Sequence, residues 1–245
     1  MTIHFIGAGP GAADLLTVRA TRLIAASGVV IYAGTYLDAE VLSHASPGAD
    51  LVDSQRLNLD DIIEVCQRAH ADGKDVARLC SGDPSVYSAL AEQTRRLDRA
   101  GVPWDVCPGV PAYAAAAALL GRELTVPEVA QTVTLTRAQA RSTRMPETET
   151  IENVAQVGGT VVLHLAIRHV RRLAEALAAA HGAETPAVVV ARASQPEQQI
   201  LRGTLADIAD QVDESGLTQA AVVLVGTALG SDDFIESHLY RSRRD

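Results

Sequence analysis

Three short stretches carry the residue types that could do chemistry, and each has the make-up of a sharp turn with open backbone. Leu79-Cys80-Ser81-Gly82-Asp83-Pro84-Ser85-Val86-Tyr87 puts a small residue, a glycine, an acid and a proline directly after the apolar run Val76–Cys80. Gly7-Ala8-Gly9-Pro10-Gly11 follows the apolar run Ile3–Ile6, and Pro108-Gly109-Val110-Pro111 follows Trp104–Cys107. Glycine brings backbone close to a ligand, and Asp and Pro fix tight turns. Any one of these stretches is also ordinary turn chemistry. Their succession at the ends of three predicted strands points to one ligand crevice at the carboxyl edge of an open sheet.

Several chemistries are disfavoured by what surrounds these turns. The first glycine turn resembles a dinucleotide fingerprint, but Pro10 removes an N–H where a phosphate would dock, and Ala33-Gly34 stand where a ribose-binding acid is needed. No Gly-Lys-Ser/Thr follows, so it is not a P-loop, and no Gly-x-Ser-x-Gly supplies an esterase nucleophile. The 7 histidines have no metal spacing; His164 and His169 flank a strand end and read as ordinary solvated or satisfied histidines. Cys66, Cys80 and Cys107 are an odd, widely spaced set that reads as buried small hydrophobes in a reducing cytoplasm. Arg137, Arg141 and Arg144 gather near a predicted strand end, where Arg137 and Arg141 could bind anions; Arg171 and Arg172 read as a solvated helix face.

The elements that must position these turns follow from periodicity. Strands are expected at 3–6, 29–32, 51–52, 76–80 and 104–107. Helical stripes fall between them at 15–26, 59–73, 86–101 and 112–120. This alternation predicts a parallel sheet with helices on its faces. After Leu124-Thr125-Val126-Pro127 the pattern changes: strands at 133–136, 160–165, 186–193, 199–201 and 220–225, helices at 167–178 and 205–212, and a polar loop over 138–150. The expectation is two α/β domains, residues 1–121 with a parallel-type sheet and 122–245 with a mixed sheet, with the ligand cleft between them. Apolar residues make up 47% of the 245 and aromatics 3%, which suits layers packed with Ala, Val, Leu and Ile. A net charge of −9 argues against a nucleic-acid partner. No apolar run reaches the ~18 residues of a spanning helix, and the first residues lack a leader pattern, so a cytoplasmic chain without membrane association is expected.

Taken as a set, the motifs resemble the tetrapyrrole methylase family. The family's G-x-G-P-G stands at Gly7–Gly11, its Gly-Asp-Pro motif at Arg78–Tyr87 and its Pro-Gly turn at Pro108–Ala112. Its C-terminal motif stands at Ala191–Gln198 with Arg202-Gly203-Thr204-Leu205. Within it, Tyr32-Ala33-Gly34-Thr35, Gln131–Arg137 and Arg192-Ala193-Ser194-Gln195-Pro196 are similar to the branch acting on precorrin-4, with Gln195 where a Trp is more usual. The uroporphyrinogen branch carries an acid at position 33; here it is Ala33, so the base role proposed for that acid does not transfer.

The resemblance implies a homodimeric enzyme that moves a methyl group from S-adenosylmethionine to carbon 11 of precorrin-4 in cobalamin biosynthesis, without a metal. It carries the donor contacts onto Pro10, Ser81, Gly82, Asp83, Val86, Pro111, Ala112, Leu165, Ala193 and Ala221, with Leu165 replacing a common Met and Ala193 a Gly. Such a substrate bears several carboxylates, so an acidic chain needs local cations; Arg137 and Arg141, with Arg78 or Arg192 as helpers, are the expected substrate-binding residues. Tyr113, Asp83 and Glu123 are open choices for a proton acceptor. A cobalt-bearing substrate, another precorrin methyltransferase, a nicotinamide oxidoreductase and a non-catalytic tetrapyrrole carrier are the alternatives.

Overall fold

The computed structural model describes residues 1–34, 37, 39–139 and 144–235. The chain forms two compact units. The first is Met1–Ala115 together with Ser194–Pro196, and the second is Ala116–Ala193 with the chain after Pro196.

In the first unit, β1 (Ile3–Gly7), α1 (Val18–Ala26), β2 (Val29–Tyr32), β3 (Asp50–Asp53), α2 (Leu59–Ala71), β4 (Val76–Cys80), α3 (Leu90–Ala100) and β5 (Trp104–Cys107) alternate in order, and α4 (Ala112–Leu120) follows. The sheet order is β3-β2-β4-β1-β5, and every pairing in it is parallel. Consecutive residues of a strand face opposite sides. Ile3, Phe5, Val29, Ile31 and Val76 therefore pack with α2 and α3 residues such as Cys66 and Leu97. Ile6, Val30, Ala77 and Leu79 pack with Ala20 and Ile24 of α1 on the other side. A strand buried on both faces needs apolar residues throughout, which is why 29–32 and 76–80 read as nearly continuous apolar runs.

Helix starts follow their caps. Thr17 Oγ1 accepts from Ala20 N at 3.1 Å, so α1 begins at Val18 rather than at 15, and 13–15 is a short 3-10 turn. Asn58 and Asp61 form a reciprocal capping box that starts α2. The helix expected from residue 86 begins only at Leu90. Tyr87 and Ala89 have φ of 53° and 57°, and this left-handed backbone excludes them from a right-handed helix.

The second unit contains β6 (Val133–Arg137), α5 (Ile151–Val157), β7 (Thr160–His164), α6 (Val170–His181), β8 (Pro186–Ala191), β9 (Gln199–Thr204), α7 (Ile208–Ser215) and β10 (Ala221–Val225). Its order is β6-β7-β10-β8-β9, parallel between β6 and β7 and antiparallel elsewhere, a mixed sheet as the sequence predicts. α5, α6 and α7 cover one face through Val154, Leu173, Leu177, Ile208 and Val212, against Val161, Leu163, Val189 and Val223. The helix at Ile151–Val157 has no counterpart among the elements that periodicity predicts. Two turns are too few for a clear stripe, and Thr150 starts the helix by accepting from Asn153 N at 3.3 Å. β8 stops at Ala191 instead of 193, and β9 runs on to Thr204 instead of 201.

The Arg202–Leu205 motif has a structural use. Asp207 Oδ1 accepts from Thr204 N at 2.7 Å, while Gln211 Nε2 donates to Arg202 O at 3.1 Å. A Cβ at position 203 would meet the ends of the Asp207 and Gln211 side chains, so the glycine leaves room for these hydrogen bonds where β9 hands over to α7.

Candidate functional site

The three turns of the first unit meet at the carboxyl ends of β1, β4 and β5. Beyond β1 and β4 the backbone pairs once more: Gly82 N donates to Gly9 O at 2.7 Å and Gly9 N to Gly82 O at 3.2 Å. The crossing is so close that a Cβ on Gly7 would collide with the Gly109 backbone, and one on Gly109 with Gly82 O and Gly7. Only hydrogen at both positions allows the three strand ends to touch.

Asp83 ties this junction together. Its Oδ1 accepts from Ser85 N at 2.8 Å and from the Ser85 hydroxyl; its Oδ2 accepts from Gly109 N at 2.8 Å, across 26 residues. Partial burial on its own would raise the carboxyl, but the bonds from the Ser85 hydroxyl, Gly109 N–H and Ser85 N–H outweigh it and hold the group below the ordinary 3.8. A carboxylate so stabilised is a poor proton acceptor and a good strut. Val86 is half-buried and its N–H donates to Asp83 O at 3.2 Å; Ser81 is exposed and Gly82 buried with φ of 69°.

Residues 194–196 pack on the same turn. Gln195 Nε2 donates to Pro10 O at 3.1 Å, and Ser194 Oγ accepts from Ala12 N at 3.2 Å. Pro10 is buried, while Pro111 and Ala112 are half-buried at the start of α4, where Pro111 O accepts from Ala114 N at 3.1 Å. Arg78, weighed as a carboxylate binder, is spent inside this unit: it donates to Gln93 Oε1 at 3.2 Å and to Leu79 O at 3.1 Å. All three cysteines are free and buried; burial pushes the Cys66 and Cys80 thiols up to about 11, so those two are inert.

In the second unit the remaining expected contacts lie at one end of the sheet. Arg137 ends β6 in register with His164, which ends β7; Leu165 follows His164; Ala221 starts β10 opposite Ala191, two residues before Ala193. Leu165, Arg192 and Ala220 at this end have φ of 50°, 48° and 55°. Left-handed backbone in non-glycine residues costs of order 1–3 kcal/mol each and gathers where function requires it. Nothing in the composition of 165, 192 or 220 announces this; it is the signal that sequence reading missed. Leu165 is 64% exposed, an aliphatic side chain held out in solvent by strained backbone. Ala193 is buried and Ala221 half-buried.

Arg137 lines a hollow of about 220 Å³ beside α5 and α6, together with Arg172, Glu147, Glu149 and Glu152. Arg172 thus belongs to this hollow, whereas Arg171 is bound to Asp210 and Asp213 at 2.7 and 2.5 Å. Arg141, expected as the second substrate cation, lies outside the described residues. Tyr113 is half-buried; Glu123 is exposed and its Oε1 accepts from the Thr125 hydroxyl at 3.0 Å. Among the described residues no group of His, Cys, Asp and Glu is arranged to hold a metal, and no helix is long and apolar enough to cross a membrane.

Comparison with known proteins agrees with this geometry. A precorrin-4 C(11)-methyltransferase of Rhodococcus erythropolis is 53% identical over 245 residues, covering 100% of this chain and 98% of the relative. A solved cobalt precorrin-4 methyltransferase superposes with a TM-score of 0.89 at 34% identity, over 93% of this chain and 95% of the other. A uroporphyrin-III C-methyl transferase of Thermus thermophilus, solved with S-adenyl homocysteine, gives 0.80 at 26% identity over 94% and 99%. The model of the tetrapyrrole (corrin/porphyrin) methylases matches residues 2–209. With its strand-end turns, its parallel and mixed sheets and that match in hand, the chain belongs to the tetrapyrrole (corrin/porphyrin) methylase family.

Proposed function

We propose that this chain transfers a methyl group from S-adenosylmethionine to carbon 11 of precorrin-4 in cobalamin biosynthesis. The observation that carries the substrate is the full-length likeness to a precorrin-4 C(11)-methyltransferase at 53% identity. A cobalt-bearing substrate is the second reading, favoured by the 0.89 superposition on a cobalt precorrin-4 enzyme, at the lower identity of 34%.

The donor supplies an activated methyl group on a sulfonium. The residues offered to it suit that chemistry. Pro10, Ser81, Gly82, Asp83, Val86, Pro111 and Ala112 in the first unit, and Leu165, Ala193 and Ala221 in the second, give small or aliphatic surface and bare backbone. They include no cluster of cations for a phosphate. Backbone held rigidly by the Gly9–Gly82 pairing and by Asp83 fixes where a ligand rests, and orientation of the two reactants is the main contribution an enzyme of this kind can make. No nucleophilic side chain is needed, which accords with inert buried thiols. We place the enzyme in the cytoplasm and, on the family resemblance, read it as a homodimer; light scattering of the purified chain tests the latter.

Calorimetry and product analysis test the reading. S-adenosylhomocysteine should bind and NAD should not; incubation with precorrin-4 and labelled donor should place the label on carbon 11. Tetrapyrrole binding without donor binding would instead make the chain a carrier.

Arg137 is proposed to bind a substrate carboxylate, in company with Arg141. Arg137→Ala should raise the tetrapyrrole KM by roughly tenfold or more, the worth of one charge-assisted pair, and leave S-adenosylhomocysteine affinity unchanged. Steady-state kinetics with calorimetry on the same preparation checks both halves, and an unaltered KM would remove Arg137 from the substrate site.

A further inference from the structure

We propose that the imidazole of His164 accepts the proton released in the methyl transfer. The proposal rests on the methyl-transfer reading above. Carbon 11 gains its methyl as the methyl–sulfur bond breaks, with that bond's electron pair left on sulfur. The new carbon–carbon bond uses a π pair of the tetrapyrrole, so the ring becomes one charge more positive until a ring proton departs. His164 takes that proton, becomes imidazolium and returns it to water after release.

Position singles this residue out. His164 is the last residue of β7, in register with Arg137 on β6 and immediately before the strained, exposed Leu165. A proposed carboxylate anchor, the proposed base and a proposed donor contact thus lie together at one end of the sheet. Among the described residues, the charged and titratable groups of the neighbouring elements are these. β6 brings Arg137; β10, its other neighbour in the sheet, runs through Ala221–Val225 with no ionisable side chain. After it in the chain come Arg168, whose Nε donates to Thr218 O at 3.0 Å, and the exposed His169. Beyond Ala221 lies Arg192, whose guanidinium is 3.9 Å from the Glu197 carboxylate.

The other acceptors fit less well. Asp83 accepts from three donors and is held below the ordinary carboxylate value, so protonating it would undo the junction it ties. Glu123 is exposed and occupied by Thr125. Burial lowers the His164 imidazole from its ordinary 6.5, so at neutral pH the ring is uncharged and able to take a proton.

The test uses full-length His164→Asn and His164→Gln. The expected result is a kcat lower by about 10²–10³-fold, the usual worth of a positioned base. S-adenosylhomocysteine affinity by calorimetry should stay within about threefold of wild type. The acid limb of the wild-type pH–rate profile, where the rate falls as the imidazole protonates below 6.5, should be missing from both variants, and added imidazole should restore part of the rate. A kcat within about threefold of wild type, or an acid limb that survives, overturns the proposal. Histidine NMR of the wild-type protein gives a readout independent of turnover and of how the variants fold. His164 should titrate below 6.5, and a ring found cationic at neutral pH also overturns it. Failure of the wild-type chain to methylate precorrin-4 would be a different result, sinking the function rather than the base.

Discussion

Gly109→Ala is expected to destabilise the first unit by about 3 kcal/mol, the upper part of the range for overpacking a rigid contact. It should also weaken S-adenosylhomocysteine binding at least about tenfold, if that ligand rests on this junction as proposed. The added methyl would meet Gly82 O and the backbone of Gly7. These are main-chain atoms of β1 and of the Asp83 turn, so neither can rotate away. The backbone at Gly109 is not in the left-handed region, and the cost is therefore steric rather than conformational. Gly48→Ala is the control. A Cβ there meets nothing within 4 Å, and the change should stay within about 0.5 kcal/mol. Urea unfolding of the two variants with calorimetry of the donor product separates the effects. A Gly109→Ala protein as stable as Gly48→Ala would mean the strand ends are not packed this closely.

The second large effect is expected at Asp83. The carboxylate accepts from two backbone N–H groups and one hydroxyl. Asparagine has one acceptor oxygen and would turn its NH₂ toward a donor, leaving one N–H of the junction unmet. Asp83→Asn should cost about 1–2 kcal/mol at neutral pH, after allowance for the partial exposure of the turn. The pH dependence has a definite sign. The folded-state carboxyl lies below the ordinary 3.8, so its contribution is fully present above that value and is lost as pH falls through the folded pKa. The stability gap between wild type and variant should therefore be constant from neutral pH down to about 4 and close below it. Denaturant midpoints taken across that window check this. A gap that instead widened in acid would contradict a lowered Asp83.

Both predictions concern residues whose type was legible in the sequence and whose partners were not. Gly-Asp-Pro after an apolar run announces a turn, because turn chemistry is local. That Asp83 spends one oxygen on Gly109 is a choice made across 26 residues. Pro10 was singled out as a missing N–H. Its carbonyl turns out to be held by Gln195, at a separation of 185 residues, and no local pattern encodes that. Arg78 has the charge of an anion binder, but its place in β4 beside Gln93 commits it to the interior of its unit. The helix expected from residue 86 failed for a related reason: left-handed φ at Tyr87 and Ala89 is imposed by the surrounding turn, against the preference of either residue.

By itself the sequence determined the alternation of strands and helices apart from α5, the parallel first sheet and mixed second sheet, and the three glycine-bearing turns. Periodicity and turn chemistry act over a few residues and can be read there. Only the tertiary structure decided which turns touch, that Gly7 and Gly109 must both lack a side chain, and that one sheet end gathers the strained non-glycine residues Leu165, Arg192 and Ala220. Those outcomes depend on contacts between distant segments, where steric exclusion and hydrogen-bond pairing select partners that no stretch of chain specifies alone.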